Sequence, residues 1–218
     1  MKGENTMGKS VWKPGTVVYP VPAVMVSCGN IDGEKNIITV AWTGTINTNP
    51  PMTYVSIRPE RHSYEMIKKS GEFVINLVTE KLAYACDYCG VRSGKDIDKF
   101  KEMKLTAVKG NEVLAPLIYE SPVNIECKVK DIIELGSHHM FIGEVVSVSV
   151  SDEYMDETGK FHFNKSKPIC YSHGGYFGLG KQLGTFGYSV KKQDNKKENS
   201  SKKERWRKTG RKNTKKKK

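Results

Sequence analysis

No stretch of the 218 residues approaches the roughly 20 consecutive apolar positions that a membrane-spanning helix requires. The opening "MKGENTMGKS" is polar and lacks the apolar centre of a secretion signal, so a cytoplasmic protein with no membrane partner is expected. Cysteine is sparse. Cys28, Cys86, Cys89, Cys127 and Cys170 form an odd, scattered set, which suits reduced thiols better than a disulfide framework. Also missing are a Walker-type phosphate loop, an HExxH metal helix, a Ser-His-Asp order and any internal repeat. "GGYFGLG" (174–180) does not meet the GxGxxG spacing, and no βαβ unit follows it.

A basic excess is absent from most of the chain as well. The net charge is +12, but residues 191–218 hold 15 of the 36 Lys and Arg and only 3 of the 24 Asp and Glu. The preceding 190 residues are therefore neutral and offer no basic groove to a nucleic acid. The basic segment has one aromatic residue, Trp206, and no apolar periodicity. It cannot bury enough surface to offset its ordering entropy and reads as a disordered tail, able at most to adhere weakly to RNA or acidic partners.

What the chain does contain is short β-structure. "VPAVMVSCG" (21–29) and "NIITVAWTG" (36–44) are apolar and β-branched, with Asp32-Gly33 as the turn between them. "MTYVSIR" (52–58) and "EFVINL" (72–77) continue the sheet. Between them "SYEMIKKSG" (63–71) predicts a short helix with Ser63 as N-cap and Gly71 as the left-handed stop. "TEKLAYACDYC" (79–89) is helical in composition, and "VRSGKDIDKFKEM" (91–103) is a glycine-containing loop entering another short helix. In "VNIECKVK" (123–130) Val123, Ile125, Cys127 and Val129 alternate with Asn124, Glu126, Lys128 and Lys130, the pattern of a half-buried antiparallel strand. "MFIGEVVSVSV" (140–150) is its hairpin partner, and six glycines interleaved with aromatic rings close the ordered part. The fold class is mainly β, a β-barrel with short inserted helices.

Four stretches could carry chemistry. Arg58, Arg61, His62 and Ser63 bring cations and a helix start together at a strand end, which makes an anion seat; the alternative is surface pairing of the arginines with Glu60 and Glu65. In "TVAWTGTINTNPP" (39–51), small and hydroxylated residues after an apolar strand could face a planar heterocycle or form a plain sheet edge. "CDYC" (86–89) has neither a second ligand pair for zinc nor a thioredoxin-like context, so two packed helix cysteines are expected, and no metal site. "GSHHMF" (136–141) puts two histidines at a hairpin, of which at most one faces a given site.

The run from "PVPAVMVSCGN" through "NIITVAWTGTINTNPPMTYVSIRPERHSYEMIKKSGEFVINL", followed by "YCGVRSGKDIDKF", "APLIYESPVNIECKV", "ELGSHHMFIGEVV" and "GGYFGLG", resembles the flavin reductase-like family, closest to its flavoredoxin-type members. The resemblance covers about residues 14–190, leaving a flexible start at 1–13 and the tail at 191–218. It implies an FMN-binding split β-barrel that works as a homodimer and moves electrons from NAD(P)H or a redox protein through FMN. A flavin-binding module without turnover is the alternative, with nucleic-acid binding through the tail as a third. Carried over by position, Trp42, Thr43, Gly44 and Thr45 would lie along the ring edge, and Arg58, Arg61, His62 and Ser63 at the ribityl phosphate. Lys99 would approach the flavin or its phosphate, His138 would act at the ring, and Phe177 would be a neighbouring aromatic. Ser137 stands where the family has an aspartate.

Overall fold

The computed structural model describes residues 8–190; the basic segment 191–218, expected above to be disordered, lies outside the described residues, as do residues 1–7. The first strands are β1 (Val21–Pro22), β2 (Val24–Gly29), β3 (Lys35–Val40), β4 (Thr43–Asn47) and β5 (Met52–Ile57). Helix α1 (His62–Ser70) leads to β6 (Glu72–Leu77), and α2 (Ala83–Val91) and α3 (Lys99–Glu102) lead to β7 (Ala107–Val108) and β8 (Leu117–Ile118). The long hairpin β9 (Val123–Glu134) and β10 (His139–Val150) follows, then β11 (Ile169–Ser172) and β12 (Gly175–Gly178). All pairings between these strands are antiparallel: a seven-stranded sheet in the order β3-β2-β6-β9-β10-β5-β4, a small β1-β11-β12 sheet and the β7-β8 pair. The chain divides after Leu179, and Gly180–Val190 carries one helical turn at Tyr188–Val190.

Residues 36–44, expected to form one strand, are broken by a bend at Ala41–Trp42. The two halves, β3 and β4, sit at opposite edges of the seven-stranded sheet. A two-residue link can join both edges only if the sheet curls until they adjoin. The result is a barrel split between β3 and β4, with β3 also touching β5 across the opening. The backbone amide of Ser56 on β5 donates to the Trp42 carbonyl at 2.9 Å and pins the bend.

Alternation along β2 separates two apolar layers. Val24, Val26 and Cys28 face the barrel interior with Ile38, Val55, Ile57, Phe73, Phe141 and the underside of α1 (Tyr64, Ile67). Ala23 and Met25 face outward, where Leu82, Ala85, Cys86, Cys89 and Phe100 from the α2–α3 region cover them. Strand β2 is thus buried from Val24 to Cys28, and apolar there except for Ser27, because both faces are covered.

The alternation in β9 holds, but the polar side does not face water throughout. Asn124 and Glu126 are buried beneath residues 109–118. The Asn76 amide is the hub there. Its Nδ2 donates to the Met25 carbonyl and Ser27 Oγ, and its Oδ1 accepts from the Ile118 amide and Asn124 Nδ2. The Glu126 carboxylate accepts from the backbone amides of Asn111, Glu112 and Val113 at 3.1, 2.7 and 3.1 Å. A short helix-free loop satisfies the carboxylate where water was expected.

Candidate functional site

Strand β5 delivers Arg58 to the mouth of the split, and the chain turns through Pro59–Arg61 into α1. The expected Ser63 cap is corrected here. Arg61 is the N-cap, in extended conformation and with no side-chain cap bond, while Ser63 is already helical and 1% exposed. The helix begins two residues early because the Arg61 amide closes a turn onto the Arg58 carbonyl. Gly71 ends the helix at φ 68°, as its sequence position predicted. Among the described residues, nothing accepts from the backbone amides of His62 and Ser63, so two first-turn donors point out of the helix start.

A cavity of about 220 Å³ opens at this helix start. Its wall includes Asn36 and Ile38 from β3, Arg61–Ser63, and Arg92, Ser93, Gly94 and Lys99 from the α2–α3 connection. Arg61, Arg92 and Lys99 meet a single carboxylate, Glu60, and that group already pairs with Arg58 at 3.2 Å. The surface-pairing alternative is therefore true of Arg58 alone. Among the described residues Arg61 and Arg92 have no carboxylate partner. Asp98 caps α3 through the Lys101 amide, which sets Lys99 at the first helical position. The Lys99 ammonium is 4% exposed and donates to the carbonyls of Ile37 and Cys89, both at 2.7 Å, leaving a third donor. Burial lowers its pKa, the neighbouring Arg61 charge lowers it further, and Cys89 and Cys28 act the other way.

A second cavity, about 310 Å³, shares Ile38 and Arg61 with the first and lies along the split. Trp42, Tyr171, Val40 and Ile57 wall it, and Arg58 and His138 stand at its rim. His139 pairs with Ile57 across β10 and β5, so His138 falls beside Arg58, one residue beyond the pairing. Burial lowers the His138 pKa, and Arg58 and Arg61 lower it further, so the ring is neutral at pH 7 with its Nδ1 on Ser137 Oγ at 3.0 Å. His139 turns the other way and meets the Tyr64 hydroxyl at 2.7 Å, so one histidine of the pair faces the cavity.

The structure thus brings together Trp42, Arg58, Arg61, His62, Ser63, Lys99 and His138. The His62 ring reaches away to Glu34 at 3.1 Å, so only its amide addresses the cavity centre. Thr43, Gly44 and Thr45 run off along edge strand β4, with the Thr43 hydroxyl donated to the Tyr54 carbonyl. Phe177 lies on β12, 56% exposed, and lines neither cavity. Sequence reasoning missed Asn36, Arg92, Gly94 and Tyr171. The "VRSG" glycine loop was the available signal for two of them, whereas Asn36 reads as an ordinary strand residue. A roomier cavity of about 600 Å³ between β8 and the β10 end sets Glu120, Asp152 and Glu153 against a single cation, Lys109, a charge balance that disfavours an anion.

The cysteines carry none of this chemistry. Cys86 and Cys89 are packed in α2, and burial pushes their thiols up to about 12 and about 11. Cys28 and Cys127 are equally enclosed, at about 12 each. Among the described residues no cluster could hold a metal ion, and no helix is long and apolar enough to cross a membrane. Titration with an aromatic disulfide reagent should find no more than one reactive thiol in the native protein, Cys170, and all five in guanidinium. Reaction of a second thiol before unfolding would contradict this packing.

Residues 16–180 match the flavin reductase like domain. The chain belongs to this family. An uncharacterised protein of Aeropyrum pernix is 31% identical over 156 residues, which cover 71% of this chain and 58% of that relative, so the chain spans little over half its length. The flavoredoxin of Desulfovibrio vulgaris (Miyazaki F) superposes with a TM-score of 0.78 at 32% identity, covering 84% of this chain and all of that one. A protein with a split barrel domain from Shewanella frigidimarina NCIMB 400 gives 0.69 at 25% identity, over 78% and 86% of the two chains. The fold of this flavin reductase-like chain is the split barrel, close to that of flavoredoxin.

Proposed function

We propose that this protein binds FMN across the two joined cavities and acts as a flavin-dependent oxidoreductase of the flavoredoxin or flavin reductase type. The observation that carries the reading is an anion seat opening into an aromatic-walled slot. Two unpaired helix amides and the excess of Arg61, Arg92 and Lys99 over Glu60 fit a phosphate dianion. Trp42 and Tyr171 with Val40 and Ile57 fit a planar ring. Similarity to a flavoredoxin and membership of the flavin reductase like family support the same cofactor.

Bound FMN would supply a ring that accepts a hydride from NAD(P)H, or electrons from a redox protein, and passes them on. The chain's own residues do the rest. Arg61, Arg92 and the amides of His62 and Ser63 anchor the charged end. Trp42 and Tyr171 exclude water from the slot, and the Lys99 and Arg61 charges favour negative charge accumulating on a ligand beside them. His138, uncharged at neutral pH, can donate or accept a hydrogen bond at the rim without competing for the anion. Five free thiols suit a reducing cytoplasmic setting.

Purified protein should show flavin absorption, release FMN on denaturation, and bleach when NADH or NADPH is added without oxygen. A flavin that stays oxidised with both nucleotides would leave a redox protein as donor, or a binding module without turnover. Absence of any flavin affinity would overturn the reading.

A homodimer is part of it. Val18, Phe177 and Leu179 are 84%, 56% and 61% exposed, an apolar display that a second copy would cover. Light scattering at micromolar concentration should give twice the mass of one chain, and a monomer with bound flavin would refute the assembly.

A further inference from the structure

We propose that Asn36 is a positioning residue that makes the seat selective for a phosphate-bearing flavin, by fixing the direction of the Ser63 hydroxyl. The proposal rests on the reading of that cavity as the FMN phosphate seat. Asn36 lies on β3, 4% exposed, and its Nδ2 donates to Ser63 Oγ at 2.9 Å. A serine hydroxyl has one proton to give and two lone pairs to fill. With one lone pair held by Asn36, the Ser63 proton is turned away from β3, toward the buried Cys28 thiol on one side and the cavity that Asn36 and Ser63 both border on the other, where an arriving anion is the stronger acceptor.

An uncharged amide donor is the group this task needs. A carboxylate at this position would accept the Ser63 proton and add a like charge beside the phosphate. An apolar side chain would leave the hydroxyl free to rotate back onto a helix carbonyl, as serines in helices do. The amide is also held in place from outside. A Cβ on Gly94 would lie 2.2 Å from Asn36 Oδ1 and 2.7 Å from its Nδ2, so the 92–94 loop rests directly on the amide. That contact ties three elements distant in sequence to one side chain: the helix start, β3 and the loop that carries Arg92.

The test is a double-mutant cycle read by fluorescence quenching, with FMN and riboflavin titrated into flavin-stripped wild type, Asn36→Leu, Ser63→Ala and the double variant. Asn36→Leu should weaken FMN about 10-fold, the scale of one charge-assisted hydrogen bond lost, and move riboflavin less than about twofold. Added to Ser63→Ala it should cost almost nothing further, because its effect passes through that hydroxyl. Asn36→Asp keeps the shape, so it answers the question if the leucine variant folds poorly. It should weaken FMN about 100-fold and spare riboflavin, since the carboxylate both captures the proton and repels the dianion. Additive losses in the cycle, equal losses for both flavins, or wild-type FMN affinity in Asn36→Asp would overturn the role of Asn36. A wild-type protein that binds FMN and riboflavin equally would overturn the phosphate seat itself.

Discussion

Replacing Arg61 with alanine should raise the dissociation constant for FMN about 10- to 100-fold, the equivalent of about 1.5–3 kcal/mol for hydrogen bonds to a charged group. Arg61 borders both cavities and has no carboxylate partner among the described residues, so its charge is uncommitted. Arg58 is different. Its guanidinium is half exposed and already paired with Glu60, so Arg58→Ala should cost only a fraction as much. Riboflavin has no phosphate and should bind both variants nearly as it binds wild type. The FMN loss should also shrink with added salt, as a screened charge contact does. Calorimetry with both flavins at two salt concentrations checks this. Equal losses for the two flavins, or a larger loss at Arg58 than at Arg61, would place the phosphate elsewhere.

Glu126→Ala should be the most destabilising single change outside the apolar core. It leaves the amides of Asn111, Glu112 and Val113 facing an empty space, and the cost should reach about 3–5 kcal/mol. For a chain of this size that is a fall in melting temperature of roughly 10 °C. Glu126→Gln keeps the volume but turns a donor toward one of the amides, so it should fall between wild type and alanine. The pH dependence has a definite sign. Burial presses the Glu126 pKa upward, but the amides of Glu112, Asn111 and Val113 and the Ser147 hydroxyl outweigh it and hold the value below the usual 4.5. A carboxyl depressed on folding stabilises the protein above its unfolded pKa, and that stability is lost as pH falls through the lower folded value. The gap between wild type and Glu126→Gln should therefore be full at pH 7 and close below about pH 4.5. Urea melts at pH 7 and pH 3.5 measure it, and an unchanged gap at both would contradict the ionised state.

The proposed anion seat was legible because its residues are neighbours in the chain. Arg58 to Ser63 lie within one turn and one helix start, so strand end, cation and free amides can be read from six letters. Asn36, Arg92 and Gly94 were not legible, since their roles come from a tertiary approach between β3 and the α2–α3 connection. Thr43–Thr45 were placed along the ring by the family resemblance, while residues 36–44 read as one strand. A two-residue bend leaves no composition signal, and it moved them to the opposite edge of the sheet. For Asn124 and Glu126, alternation correctly found two faces but could not tell water from a covering loop.

The buried polar hub bears on how the chain finds its register. Strands β6 and β9 pair Asn76 with Asn124 and Val74 with Glu126. Their apolar residues alone, chiefly valine, isoleucine and phenylalanine, would tolerate several near-equivalent alignments during folding. A slip of one residue would turn Asn124 and Glu126 into the barrel interior among Val26, Phe73 and Phe141. It would also strip the Asn76 amide and the 111–113 loop of their partners. A one-residue slip therefore leaves a buried charge without the hydrogen bonds that satisfy it in the native pairing, and the energy gap between the two is set by polar atoms more than by apolar ones.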